Sequence, residues 1–215
     1  MNCLVTAGPT YEPLDAVRRL TNFSTGKLGV ELANHLTARG HAVMLLVGES
    51  ATYAGERRAQ VVRTFTTTAS LRNDLMAFGG QPVDAVFHAA AVSDFSFGGA
   101  WERSPGGELT AVKAGKLSTR SGNLLVELVP TPKLIVELRG WFPHARLAGW
   151  KFEVDGQREE VQRAARRQLA AARTDLCVAN GPAYGAGFGL VTANGDRHVA
   201  DADQLYIQLE KFVGG

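Results

Sequence analysis

The sequence predicts an α/β protein: a Rossmann-like, three-layer fold with a mostly parallel sheet and a protruding flap or dimer arm. Three observations carry this expectation. Short unbroken apolar runs (NCLVTA, HAVMLLV, DLCVA) recur along the chain, as strands buried on both faces require. Segments with helical spacing of apolar residues separate them. Over residues 2–91 the order strand, helix, strand, strand, helix, strand implies right-handed crossovers in a parallel sheet.

The elements follow in order. Residues 2–7 form a buried strand, stopped by Gly8-Pro9. Ser24 or Thr25 caps a helix whose apolar face is Leu28, Leu32, Ala33 and Leu36, and Gly40 ends it. Residues 41–47 and 61–65 are strands, and 69–78 a helix. Residues 83–91 are a strand ending in small side chains. Residues 97–107, rich in Gly and Ser, read as a loop. Residues 109–113 and 124–129 read as hairpin arms around a polar stretch. Pro132 stands at the start of a helix reaching residue 138. Then come a strand (145–152), a basic helix (159–173), a strand (175–179), a hairpin turning at Asn194-Gly195, and a last helix (204–212). No repeat or linker divides residues 1–215, so one domain is expected, with residues 97–128 as the flap or arm.

Composition narrows the function. The 215 residues carry 23 Lys+Arg against 21 Asp+Glu, too balanced for a dedicated nucleic-acid binder. Cys3 and Cys177 lie inside apolar runs and read as buried hydrophobes, which fits a reducing compartment. No Cys/His spacing suits a metal, no signal peptide is evident, and no apolar run approaches the roughly 18 residues of a membrane span. A cytoplasmic protein, not bound to membrane, is expected.

The stretch "TAGPTYEPLDAVRRLTNFSTGKLG" poses the chemical question. Gly26-Lys27 is followed by Leu28, so it is not a P-loop, and Gly8-Pro9-Thr10 is not a dinucleotide fingerprint. Ser24, Thr25 and Gly26 still open a helix, whose N–H groups and dipole favour an anion, with Lys27, Arg18 and Arg19 nearby. Equally, Gly26 and Gly29 permit close packing of helix on strand. In "HAAAVSDF", Ala89-Ala90-Ala91 lets a ligand approach the backbone at the carboxyl edge of the sheet. Asp94, just beyond, accepts from a ribose or base, or shapes a turn. The pair Lys113 and Lys116 in "VKAGKL" binds phosphate or is solvated. In "AGWKFEVDG", Trp150 stacks on a base or joins the core, beside Lys151 and Glu153. Asn180 in "DLCVANG" reads a ligand group or shapes a turn.

Together with "ELVPTPKLI", these stretches occur in an order and spacing that resembles the phosphopantothenoylcysteine synthetase (phosphopantothenate–cysteine ligase) family, over nearly the whole chain. The stand-alone form, without a decarboxylase domain, is the one it resembles. The resemblance implies a ligase joining 4′-phosphopantothenate to cysteine in coenzyme A biosynthesis. It implies CTP or ATP with Mg²⁺, an acyl-nucleotidylate intermediate and a homodimer. Asn22 matches the residue contacting the acyl intermediate, Arg18 one linked to the second half-reaction, and Lys113 the lysine of the flap. Gly8, Ser24, Thr25 and Gly26 match the phosphate surroundings; Ala90, Asp94 and Lys116 match the nucleotide side. Trp150 and residues 131–134 fall where the nucleotide is bracketed.

There are departures. The flap motif has one lysine fewer, Lys133 replaces an aspartate, and Gly181 replaces another. Gln168 and Ala172 stand where two nucleotide-binding lysines are usual, with Arg166, Arg167 and Arg173 nearby. These thin the nucleotide side and leave Arg18 and Asn22 intact. They keep open a noncatalytic phosphometabolite-binding protein on the same fold. An NAD(P)-dependent oxidoreductase would need a glycine fingerprint and a Tyr-x-x-x-Lys pair, and the sequence has neither.

Overall fold

The computed structural model describes residues 1–112, 117 and 123–214. The chain opens with β1 (Asn2–Ala7), a small hairpin of β2 (Tyr11–Pro13) and β3 (Arg19–Thr21), helix α1 (Lys27–Ala38), β4 (Ala42–Gly48) and β5 (Val61–Phe65). Helix α2 (Thr68–Phe78) and β6 (Ala85–His88) follow, then β7 (Phe95–Arg103), β8 (Leu109–Ala111) and β9 (Asn123–Pro130). The rest is α3 (Leu134–Trp141), β10 (Arg146–Phe152), α4 (Arg158–Ala172), β11 (Leu176–Asn180), β12 (Phe188–Thr192), β13 (Gly195–Val199) and α5 (Ala202–Gly214).

Eight strands form one sheet in the order β13-β12-β11-β10-β6-β1-β4-β5. The six from β11 to β5 are mutually parallel, and β12 and β13 add an antiparallel edge. Helices cover both faces, which is why the central strands read as unbroken apolar runs. On one face α1 and α5 seat Val30, Leu36, Leu205 and Leu209 against Cys3, Val5 and Leu45. On the other, α2 and α3 seat Leu71, Leu75, Leu134 and Leu138 against Leu4, Val86 and Leu147, and α4 packs Val161 and Ala165 against Cys177 and Ala179. From β1 the chain builds outward through β4 and β5, then returns to add β6, β10 and β11 on the other side. The reversal lies between β1 and β6, where open α/β sheets form their ligand crevice.

Several local expectations need correction. Gly26, not Ser24 or Thr25, is the N-cap of α1; its φ is 82° and no side chain caps the helix. Thr25 Oγ1 instead accepts from the Lys27 N–H at 3.2 Å. At the other end, Gly40 (φ 83°) closes a Schellman turn: its N–H bonds the Thr37 carbonyl and the His41 N–H the Leu36 carbonyl. Residues 97–107 are largely strand, since β7 runs through Arg103; the Gly98-Gly99 pair that suggested a loop sits where the register shifts between Phe97 and Ala100. β8 and β9 do not pair with each other. Both flank β7 in a separate antiparallel sheet, β8-β7-β9, which is the expected arm. Pro132 precedes α3 by one turn position, and Lys133 is the N-cap.

Candidate functional site

A cleft of about 680 Å³ opens at the carboxyl ends of β6, β10 and β11, between the approach to α1 and the start of α3. It straddles the sheet edge at the topological reversal. Asn22, Ser24 and Leu28 form one wall, Lys133 and Ile135 the opposite one. Between them run residues 88–94, then Trp150, Lys151 and Phe152.

The strand expected over residues 83–91 ends at His88. Ala89-Ala90-Ala91 leaves the sheet and bridges to the loop after β1: the Ala91 N–H bonds the Gly8 carbonyl and the Thr10 N–H the Ala91 carbonyl. Three methyl groups leave this backbone open. The Asn22 amide reaches across, donating from Nδ2 to the Ala91 carbonyl at 3.1 Å and the Val92 carbonyl at 3.4 Å. His88 is 5% exposed, and its Nδ1 lies 3.0 Å from Thr6 Oγ1. Burial pushes this imidazole down to about 4, so it is neutral at physiological pH.

Charge in the cleft is paired. Lys133 Nζ bonds Asp94 across its mouth, and Lys151 Nζ meets Glu153 at 2.9 Å. Pairs this exposed contribute about 0–1 kcal/mol, so an anionic ligand can displace them. Gln168 also lines the cleft, its Nε2 donating to the Trp150 carbonyl at 3.0 Å, a neutral amide where a lysine would bring charge. Trp150 Nε1 and Asn180 Oδ1 are buried without a partner among the described residues. Trp150 also packs on the α1/α5 core, so it belongs both to the core and to the cleft lining.

The expected site residues divide into groups. Asn22, Ser24, Ala90, Asp94 and Trp150 line the cleft. Gly8, Thr25 and Gly26 sit behind its wall. A Cβ on Gly8 would lie 2.7 Å from Ala51 Cβ, and one on Gly26 would lie 3.3 Å from Gly8 Cα, so both glycines serve close packing as well as positive φ. Gly29 is tighter, with a Cβ meeting Ala7 Cβ at 2.6 Å, which sets α1 down on β1. Arg18 is engaged elsewhere: Nη1 donates to Asp15 Oδ2 at 2.7 Å and to the Leu117 carbonyl at 3.1 Å. Asp15 in turn accepts from the Leu117 N–H at 3.0 Å. That Leu117 amide, helped by the Val17 and Arg18 amides, holds the Asp15 carboxyl down at about 2. Lys113 and Lys116 lie outside the described residues. Sequence reasoning did not single out His88; its signal was a lone polar residue between an apolar strand and three alanines.

Cys3 and Cys177 are buried, and burial pushes their thiols up to about 11 and about 12, so neither supplies a thiolate at neutral pH. Among the described residues no three His, Cys, Asp or Glu side chains gather as a metal cage, and no helix is long and apolar enough to cross a membrane.

The family model described as the DNA/pantothenate metabolism flavoprotein C-terminal domain matches residues 1–211. The coenzyme A biosynthesis bifunctional protein CoaBC of Thermococcus kodakarensis is 35% identical over 178 residues, which cover 82% of this chain and 40% of that protein. The chain spans about two fifths of the length of the first curated relatives it matches. Among solved structures, the DNA/pantothenate metabolism flavoprotein from Streptococcus pneumoniae superposes with a TM-score of 0.86 at 25% identity, covering 100% of this chain and 98% of that one. A Cab2 mutant solved in complex with phosphopantothenate-cysteine shares the fold, with a TM-score of 0.75 at 20% identity over 99% of this chain and 87% of that one.

Proposed function

The chain belongs to the family of the DNA/pantothenate metabolism flavoprotein C-terminal domain, and from that premise we propose that it joins 4′-phosphopantothenate to cysteine in coenzyme A biosynthesis. It works in the cytoplasm as a homodimer, with CTP or ATP as co-substrate. The observation that carries this reading is the cleft at the sheet reversal, where the Asn22 amide, a methyl-lined backbone and displaceable lysine–carboxylate pairs converge.

The reaction has two steps. A carboxylate oxygen of phosphopantothenate attacks the nucleotide α-phosphorus, and the bond to pyrophosphate breaks. The cysteine amine then attacks the acyl carbon, the bond to the nucleoside monophosphate breaks, and the amine gives up its proton. Step one brings anion against anion, so cations must screen both. Lys133 and Lys151 face the cleft, and Lys113 and Lys116 are assigned the same task from sequence. Ser24, which lines the cleft, offers its N–H and hydroxyl to phosphate before α1, and Thr25, Gly26 and Gly8 behind it shape and pack that loop. Ala90 lines the nucleotide with backbone, Asp94 accepts from ribose once Lys133 releases it, and Trp150 brackets the base. Arg18 acts through its hold on Asp15 and Leu117.

Mg²⁺ fits as a companion of the nucleotide. It would be held chiefly by the phosphates and water, since Asp94 is given to the ribose and among the described residues no cluster of acidic side chains forms a cage. When bound it would supply charge neutralisation on the phosphates.

Asn22 has two N–H donors, and its 3.4 Å bond to Val92 is weak enough to yield one to the acyl oxygen. Asn22→Asp keeps the size and replaces that donor with negative charge. Pyrophosphate release should survive better than amide formation, which should fall about 10²–10³-fold. Acyl-nucleotide should then accumulate, visible by mass spectrometry. The reading itself is tested by pyrophosphate release with phosphopantothenate and cysteine, comparing CTP with ATP. No release with either nucleotide overturns it.

A further inference from the structure

We infer that His88 is a fixed hydrogen-bond donor in the cleft floor, presenting Nε2–H to a phosphoryl or carboxylate oxygen of the bound ligand. The inference depends on the ligase reading only for which ligand that is. It follows from the placement of protons. Thr6 is fully buried, and its hydroxyl holds one proton and two lone pairs. One lone pair receives the Ala90 N–H at 3.0 Å. If His88 Nδ1 were protonated it would take the second lone pair, and the Thr6 proton would have no acceptor in a dry site. The arrangement that satisfies every group has Thr6 O–H donating to Nδ1, which places the ring proton on Nε2.

Nε2 has no protein partner among the described residues and is not sealed from the cleft that His88 lines. Thr6, His88 and Gly149 are in register on three adjacent strands: Thr6 locks the ring, and beside the bare Gly149 backbone stand Ile135 Cδ1 and Gln168 Nε2, which line the same cleft. Ala89-Ala90-Ala91 adds only methyl groups above. The ring is therefore a neutral donor of fixed direction. Lys133 and Lys151 line the cleft, each held by a carboxylate, Asp94 and Glu153, that an anionic ligand can displace, so an anionic oxygen is the acceptor these cations favour.

The test is ¹⁵N NMR of histidine-labelled protein near pH 7, titrated separately with CMP, AMP, inorganic pyrophosphate and 4′-phosphopantothenate. The expected result is a protonated Nε2 and an unprotonated Nδ1, with the Nε2 signal moving for the probe whose oxygen it meets. The probe that moves it separates a nucleotide source from a pantothenate one. His88→Phe should weaken that probe roughly 10- to 100-fold, and His88→Gln, which keeps an N–H near Nε2, should restore most of the loss. Thr6→Ser should keep the tautomer, and Thr6→Val should lose it. A protonated Nδ1, an Nε2 signal unmoved by every probe, or His88→Phe binding as wild type would each overturn the inference. Probe binding through Nε2 without pyrophosphate release would remove the ligase reading and leave the donor standing. Pyrophosphate release with His88 unperturbed would do the reverse.

Discussion

The central sheet and the arm are both β-structure, yet they are held in opposite ways. In β1 every residue after Asn2 is buried, with a parallel neighbour on each side and helices on both faces. In the arm, β8 is exposed throughout and β9 has no fully buried residue. The register of β7 with β9 places Phe95, Phe97, Val126 and Leu128 on one face, and that face is largely apolar. Phe95 is 42% and Leu128 49% exposed. A three-stranded sheet with so little buried area gains little from folding on its own. The sheet is stabilised by what the chain already covers. The arm carries apolar surface that a second copy of the chain can cover, which is the physical support for the proposed homodimer.

The largest test of this contrast is a matched pair of truncations. Leu4 is fully buried between Leu71, Leu75 and Val86, so Leu4→Ala should cost about 2–5 kcal/mol. Leu128→Ala should change the stability of the isolated protomer by no more than about 0.5 kcal/mol. Urea unfolding at sub-micromolar protein concentration measures both. A loss of more than about 2 kcal/mol for Leu128→Ala would mean that the arm is part of the core, and the contrast would fail.

Acid should find the sheet through His88. The unfolded imidazole titrates near 6.5 and the folded one near 4. Between those values the unfolded chain binds a proton that the folded chain refuses, so stability rises with pH through this window and falls on acidification. The loss should reach about 3 kcal/mol by pH 4. It should vanish from the pH profile of His88→Gln, whose slope between pH 6.5 and 4 should be flatter than that of wild type. Equal slopes would mean that another group carries the acid sensitivity.

The same contrast governs what the sequence could disclose. HAVMLLV reads as a strand because both faces of β4 are covered, so its pattern is local and unbroken. β7 hides because Gly98-Gly99 and the register shift interrupt the alternation that would mark it. The β2/β3 hairpin has only three residues a side, too few for a period to show. Gly26 was legible as a glycine that matters, but its cap geometry needs positive φ, which spacing does not reveal. At the cleft, Ala89-Ala90-Ala91 signalled open backbone. The Lys133–Asp94 pair joins residues far apart in sequence, and the Thr6–His88 bond joins neighbouring strands from different parts of the chain. Such pairings exist only once the strand order is known.

The smallest expected effect bears most directly on the arm. Leu128→Lys places a charge in the middle of its apolar face, where an interface would have to desolvate it without a partner. Phe97 lies directly opposite on β7, so the substitution faces an aromatic neighbour and not a carboxylate. The protomer should unfold at nearly the wild-type denaturant concentration, because the position is already half in water. The dimer should dissociate about tenfold more readily, read by light scattering or sedimentation across a concentration series. A second substitution separates this face from the other. Glu127 has the opposite parity on β9 and accepts from the Gly99 N–H, so Glu127→Gln leaves the apolar face untouched and should leave association unchanged. Loss of association with Glu127→Gln and not with Leu128→Lys would put the interface on the opposite face of the arm. A wild-type chain that remains monomeric at tens of micromolar would leave the apolar face without the covering assigned to it, and would remove the homodimer from the proposed function.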